Sequence, residues 1–358
     1  MRKSLFNILG VSCGYAAAVI GAGFASGQEI VSFFVRYGKC SIIGIFIACV
    51  VFSLFSCAVL CTCVDKKIYN YSDFLDSIFK GGRVRRVVEV LTLAFAAASV
   101  CVMTACAGEM GMALMGAPRI LGAVIFTIIC GAIFFMGSKK LMEINSVLGA
   151  VIVFGIIFCC LYILRFREHQ VFANEASMTV SGFVYSGYNL LTAGAILAGM
   201  SRCLGSRGEA VLSSVVSGFV LFVMIVLIWG VLGIYYGKIN LGGIPMLTMA
   251  LRQNNALGIF YGVMLLFAVI TTGVSNGFGV IDIVSDKISR PRAAVLLLIT
   301  AFCMSGAGFA NLINTAYRIC GYAGVIIVFA VIYKSLKNMK KVKKRRKQKK
   351  TKANKVKI

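Results

Sequence analysis

The feature that most constrains this chain is a series of long apolar runs separated by short charged clusters. They lie near residues 5–35, 40–64, 87–115, 119–136, 142–164, 179–201, 210–236, 257–284, 293–308 and 310–333. A helix needs about 20 apolar residues to cross a hydrocarbon core ~30 Å thick. The runs therefore predict ten transmembrane helices and an all-α integral membrane fold. Composition agrees: 59% of the 358 residues are hydrophobic and 14% are charged, against roughly 45–50% and about 25% in soluble domains. An ordinary water-soluble fold is excluded. The first run follows Arg2 and Lys3, as the core of a signal peptide would. It ends at no small-residue cleavage site and continues into Ser26-Gly27-Gln28-Glu29, so it reads as the first span.

The net charge of +25 suggests a nucleic-acid partner until its distribution is examined. Residues 334–358 hold 14 of the 37 Lys and Arg and none of the 12 acids, leaving +11 on the rest. The end of the chain, 335–358, reads as a basic, disordered cytoplasmic tail that contacts anionic lipid, each Lys or Arg near the surface contributing about 1 kcal/mol. No nucleic-acid partner is expected. With the N-terminus inside, inner segments carry 15 basic residues before the tail, among them Arg83, Arg85, Arg86, Arg202 and Arg207. Outer segments carry 7: Arg36, Lys39, Arg119, Arg165, Arg167, Lys238 and Arg252. The positive-inside rule then places both termini in the cytoplasm of a plasma-membrane protein. Segment 65–86 reads as a partly amphipathic inner loop, and 243–252 as a short outer helix starting near Pro245.

The 14 cysteines lie in apolar stretches and read as small buried hydrophobes. His169 is the sole histidine, so Cys61-Thr62-Cys63 lacks partners for a metal site. No zinc-protease motif, phosphate-binding Gly-Lys loop, Gly-x-Ser-x-Gly elbow or paired histidines appear, and the chain reads as a non-enzyme without a cofactor.

The ten spans divide into two halves of similar length, 1–168 and 178–334, which predict a five-plus-five repeat within one domain, 1–334. Each half opens on a span poorly suited to a straight helix. The first contains Gly21-Ala22-Gly23-Phe24-Ala25-Ser26-Gly27-Gln28-Glu29, the sixth Tyr185-Ser186-Gly187-Tyr188-Asn189. Interrupted spans at corresponding positions point to a transporter's binding site, because unwound backbone exposes N–H and C=O groups near the midplane. The competing reading is close helix packing through small residues such as Gly10/Gly14 and Gly23/Gly27. The eighth span adds Thr271-Thr272-Gly273-Val274-Ser275-Asn276. Its hydroxyls suit a dehydrated Na⁺, or simply bond back to carbonyls one turn earlier.

The segment Gly21–Ile30, with Phe33-Phe34 and Tyr37-Gly38 after it, closely resembles the N-terminal signature of the YkvI-type bacterial membrane proteins, and the Tyr188-Asn189 region is similar too. That uncharacterised family looks like a branch of the amino acid–polyamine–cation transporter group. The resemblance runs to about residue 334 and implies the LeuT-like fold, a five-plus-five inverted repeat with helices 1 and 6 broken near the midplane. Phe267-Ala268-Val269-Ile270-Thr271-Thr272-Gly273 is similar to the ion segment of sodium-coupled members. The resemblance implies a Na⁺ held by the hydroxyls of Thr271 and Thr272 and the carbonyls of Ala17, Ile20 and Ala268. It also implies a substrate whose anionic group meets the N–H groups of Ala22 and Gly23, with Ser186, Gly187, Tyr188 and Asn189 on the opposite wall. Phe24 stands where symporters with a second ion site carry Asn, so a second sodium of that kind is not expected.

Glu29, Glu109 and Arg318 sit inside spans, roughly 9–13 Å below the outer surface at ~1.5 Å per residue. Intramembrane charges are costly and usually paired. The sequence therefore predicts that Arg318 pairs with Glu29 or Glu109, as an outer gate or as a static pair. Glu89, Glu143 and Asp282 lie near inner ends and are expected to pair locally. Asp282, seven residues after Ser275, leaves an inward ion path open. The leading function is a secondary active transporter of a small solute, an amino acid or related zwitterion or amine, coupled to Na⁺ or H⁺. The alternative is a non-transporting receptor on a transporter fold.

Overall fold

The computed structural model describes residues 2–79, 82–136, 141–165, 180–285 and 287–355. Each apolar run carries helix. The first divides into α1 (Arg2–Val19), α2 (Ala22–Ala25) and α3 (Gln28–Phe33). It is followed by α4 (Ser41–Lys66), then the inner-loop helix α5 (Tyr71–Ile78) and α6 (Gly82–Met115). α7 (Arg119–Met136) and α8 (Leu141–Arg165) complete the first half. The second half runs through α9 (Val180–Met200), α10 (Arg207–Tyr235), the short α11 (Pro245–Gln253), α12 (Asn255–Val284) and α13 (Arg290–Ser305). It ends in α14 (Phe309–Leu312), a π turn over Ile313–Tyr317, and α15 (Arg318–Lys355). The boundary between the halves, and His169, lie outside the described residues.

Among the described residues, six helices are long and apolar enough to cross a membrane: α4, α6, α7, α10, α12 and the stretch 309–338. Ser4–Val19 and Val151–Arg165 are shorter apolar helices. Helix ends follow local chemistry. Asn70, Ser206 and Asn254 cap α5, α10 and α12 by accepting from Ser72, Glu209 and Leu257 N–H groups. Pro245 opens α11, where its missing N–H costs nothing.

The outer surface is apolar, unlike that of a soluble protein, while the interior is a hydrophobic core with polar groups set into it. Phe46, Ile128, Phe154, Phe219, Ile319 and Ile326 are exposed on the outer faces of their helices, while Ser12, Gln28, Glu29, Ser99, Glu109, Asn189 and Thr271 are buried. A large exposed apolar surface over a core with polar groups is what a lipid solvent requires, since lipid offers no hydrogen bonds.

Two sequence expectations fail here. The sixth span is not broken: α9 is continuous from Val180 to Met200. Two of its polar side chains bond within the helix, Ser186 Oγ donating to Phe183 O at 2.9 Å and Asn189 Nδ2 to Tyr185 O at 3.0 Å. Its glycines serve close packing instead. A Cβ on Gly187 would fall 2.3 Å from Gly321 O, so α9 and α15 meet backbone to backbone. The tail expected to be disordered is also helical as far as Lys355. Lys, Arg and Gln are strong helix formers, and a helix already nucleated in the apolar run needs only to propagate.

Candidate functional site

The site is built from the interruption of the first span. Ile20 N–H still bonds to Ala16 O at 2.9 Å, but Gly21 N–H turns back to Val19 O at 3.0 Å. Ala17 O thereby loses the donor that a continuing helix would bring. Gly21 is extended, with φ −81° and ψ −178°, and α2 starts after it. A second interruption, unread in the sequence, follows four residues later. Gly27 takes φ +81°, a left-handed geometry that favours glycine. Ser26 stabilises this turn: its Oγ donates to Gly23 O and accepts from Gln28 N–H. The short piece between the breaks is tied to the second half, Met246 N–H donating to Ser26 O and Tyr261 Oη to Ala25 O.

Thr272 on α12 faces the first break. A Cβ placed on Gly21 would lie 3.5 Å from its methyl and 3.6 Å from its hydroxyl. Thr271 is buried and its hydroxyl donates to Ala268 O at 3.2 Å, the back-bonding pattern that the sequence left open. Ala17 packs its methyl against Gly149 of α8. Phe24 is fully buried in the core.

On the other side of α2 lies Glu29, 4% exposed. Tyr188 Oη donates to its Oε2 at 2.7 Å. Oε1 lies against Gly23, where an added Cβ would approach it to 2.1 Å. Aromatic rings surround Tyr188, which lies 5.5 Å from Phe33, 5.5 Å from Phe95 and 4.9 Å from Tyr317, between centroids. Of the four wall residues expected on the sixth span, the structure brings Tyr188 to Glu29. Ser186, Gly187 and Asn189 are engaged within α9 or against α15.

The expected gate pairs do not form. Arg318 donates to Ser32 O at 2.9 Å and Tyr37 Oη at 3.3 Å, and its guanidinium lies 5.5 Å from the Phe33 ring centroid. Glu109 pairs with Arg119 at 3.1 Å. The reason is local: Arg119 follows one tight turn after α6 and reaches Glu109 directly, whereas Arg318 meets the Phe33 ring, the Ser32 carbonyl and the Tyr37 hydroxyl first. Near the inner ends, Glu89 pairs with Arg85 at 2.7 Å and Asp282 with Arg290 at 2.6 Å, as expected of local pairs. The Glu143 side chain lies outside the described residues.

Sequence reasoning missed Phe33, Phe95, Ser99 and Tyr317 as site neighbours. Asn276 donates to Ser99 Oγ at 2.8 Å and Tyr317 Oη lies 3.4 Å from the same oxygen, linking α12, α6 and the π turn. A π turn is uncommon and concentrates at functional positions, but no residue type marks it in sequence. Only the polar Asn276 was visible beforehand.

No family model matches the chain. It is similar to two proteins of Bacillus subtilis (strain 168). The uncharacterized protein YyaD is 25% identical over 333 residues, covering 89% of this chain and 94% of YyaD. The uncharacterized membrane protein YkvI is 23% identical over 327 residues, with the same two shares. Among solved structures, a Na⁺-coupled sialic acid symporter in its substrate-bound outward-open state superposes with a TM-score of 0.60 at 12% identity, over 91% of this chain and 78% of the symporter. A manganese transporter mutant from Eremococcus coleocola gives 0.62 at 13%, over 90% and 77%. MhsT in complex with L-phenylalanine gives 0.58 at 12%, over 91% of each chain. The chain is thus an all-helical membrane protein that shares the LeuT-like fold of these structures and resembles YyaD and YkvI along most of its length.

Proposed function

We propose that this protein is a secondary active transporter of a small solute, an amino acid or related zwitterion or amine, working by alternating access in the plasma membrane. In this reading its ten spans form a five-plus-five inverted repeat with both termini cytoplasmic, and the basic tail rests on anionic lipid. The observation that carries it is the break at Ile20–Gly21, where Ile20 is buried, Gly21 is half-buried and Thr272 of α12 faces it. Unwound backbone at membrane depth is tolerated where protein or a polar cavity satisfies it, and such backbone is where transporters hold ion and substrate. The fold neighbours, which include a Na⁺-coupled symporter, support the same reading.

The coupling ion is Na⁺, held by the carbonyls of Ala17, Ile20 and Ala268 with the hydroxyls of Thr271 and Thr272, or H⁺ carried on a buried carboxyl. The substrate lies between Ala22–Gly23 and Tyr188. Uptake into proteoliposomes, driven by an imposed Na⁺ or pH gradient, tests this. Accumulation that requires one gradient supports transport. Ligand binding without accumulation under either gradient supports the second reading, a solute receptor on the same scaffold, which the unbroken α9 favours.

A further inference from the structure

Glu29 is nearly fully buried, and the side chain that contacts its carboxylate by hydrogen bond is Tyr188. Among the described residues, no Lys or Arg lies within ion-pair distance of it. Arg318, the cation nearest in sequence expectation, is engaged by Ser32, Tyr37 and the Phe33 ring. A carboxylate at membrane depth is costly unless a cation balances it, and such residues mark ligand or ion pathways.

Its surroundings select the sign and kind of that cation. The rings of Phe33, Phe95 and Tyr317 pack around the Tyr188 ring that bonds Glu29, with Phe95 and Tyr317 5.1 Å apart, and the Phe33 ring already accepts the Arg318 guanidinium at 5.5 Å. Aromatic faces attract organic cations and give an anion nothing. Glu29 Oε1 also borders Gly23, beside the place expected to receive a substrate's anionic group. A substrate carboxylate there would meet a like charge in a medium of low dielectric constant. With a cation bound beside it, Glu29 itself supplies the negative charge.

We propose that Glu29 and this aromatic cluster hold the ammonium group of a small organic amine that carries no carboxylate of its own. The ammonium donates to the Glu29 carboxylate, with Tyr188 remaining as its second partner, and the organic portion lies against the rings. This rests on the transport reading and narrows its substrate class from zwitterions and amines to amines.

Thermal-shift measurements on the full chain test it with probes that share a ring and differ in charge: phenethylammonium, L-phenylalanine and 3-phenylpropionate. An aliphatic series from methylammonium to hexylammonium covers size. The expected result is that at least one amine raises Tm and 3-phenylpropionate does not. Glu29→Gln weakens amine binding by about tenfold or more, the size of a lost charge-assisted contact. Glu29→Asp keeps the charge and serves if the Gln variant does not fold; the wild-type probe series decides if neither does. Stabilisation by L-phenylalanine or 3-phenylpropionate without any amine effect overturns the proposal. So does an amine shift that survives Glu29→Gln, or no shift with any amine. Failure of the transport reading looks different: amine binding without uptake leaves the amine site standing. Uptake of an amino acid, equal in wild type and Glu29→Gln, removes the amine site and leaves transport.

Discussion

Tyr188 and Glu29, 159 positions apart in the chain, share a buried hydrogen bond of 2.7 Å that joins the interrupted first span to the uninterrupted sixth. The bond satisfies a hydroxyl and a carboxyl that lipid could not. Removing the hydroxyl with Tyr188→Phe leaves the carboxyl without that partner and should cost about 1–3 kcal/mol. Glu29→Gln keeps an acceptor oxygen facing Tyr188 and should change stability by less than about 1 kcal/mol. Apparent Tm in detergent separates the two; equal effects would contradict this account of the pair.

The same carboxylate limits Gly23. Gly23→Ala drives a methyl to 2.1 Å from Glu29 Oε1 and should destabilise by about 1–3 kcal/mol through overpacking. Gly10, on an exposed face of α1, has open space where its Cβ would be. Gly10→Ala should instead be neutral or stabilise by up to about 1 kcal/mol, from helix propensity. Comparing both variants by thermal melting distinguishes a crowded site from general intolerance to change in the first span.

Thr271 and Thr272 are adjacent, yet their surroundings differ. Thr272 faces Gly21 at the break, whereas Thr271 spends its hydroxyl on Ala268 O. A bound ion at 100 times its Kd stabilises by about 2.7 kcal/mol. Thr272→Val should abolish any Na⁺-dependent rise in Tm, and Thr271→Val should reduce it less. A Na⁺ effect unaltered in the double variant would place the ion elsewhere.

Glu109 is 8% exposed at its side chain and Arg119, its partner, is 60% exposed. The solvent on Arg119 weakens the pair, but Arg119→Ala strands a buried carboxyl. It should cost about 1–3 kcal/mol, less than the loss of a fully buried pair. Glu109→Gln should cost less than Arg119→Ala. If Arg119→Ala melts like wild type while altering transport, Glu109 acts as a gate and not as a structural pair.

Cys40 and Cys203 are both exposed and lie in loops that the charge bias assigns to opposite sides. In single-cysteine variants, a membrane-impermeant maleimide added to intact cells should label Cys40 and leave Cys203 until the cells are opened. The reverse pattern inverts the topology.

Much of the architecture was legible from residues 5–333, because hydrophobic length and the needs of the backbone in lipid leave few alternatives to helices. The first-span break was legible for a similar reason: three glycines and three polar residues within Gly21–Glu29 are a poor lipid-spanning helix. The sixth span misled because Ser186, Gly187 and Asn189 carry the same composition. Composition cannot tell a glycine that unwinds a helix from one that lets Gly321 approach it. Ser and Asn, likewise, return to their own helix as readily as they line a cavity.

Charge followed the same division. The sequence alone established that Glu29, Glu109 and Arg318 lie within apolar runs and need partners, since an unpaired charge at membrane depth is costly. Which partner each takes was decided by the tertiary structure. Arg119 outcompetes Arg318 for Glu109 because a tight turn sets it alongside, and Phe33 lies against the Arg318 guanidinium. Glu29 is left to Tyr188 and a ring of aromatics because helices distant in sequence converge there. Apolar length determines that this chain enters a membrane; the packing of its helices decides which buried charge remains available to a ligand.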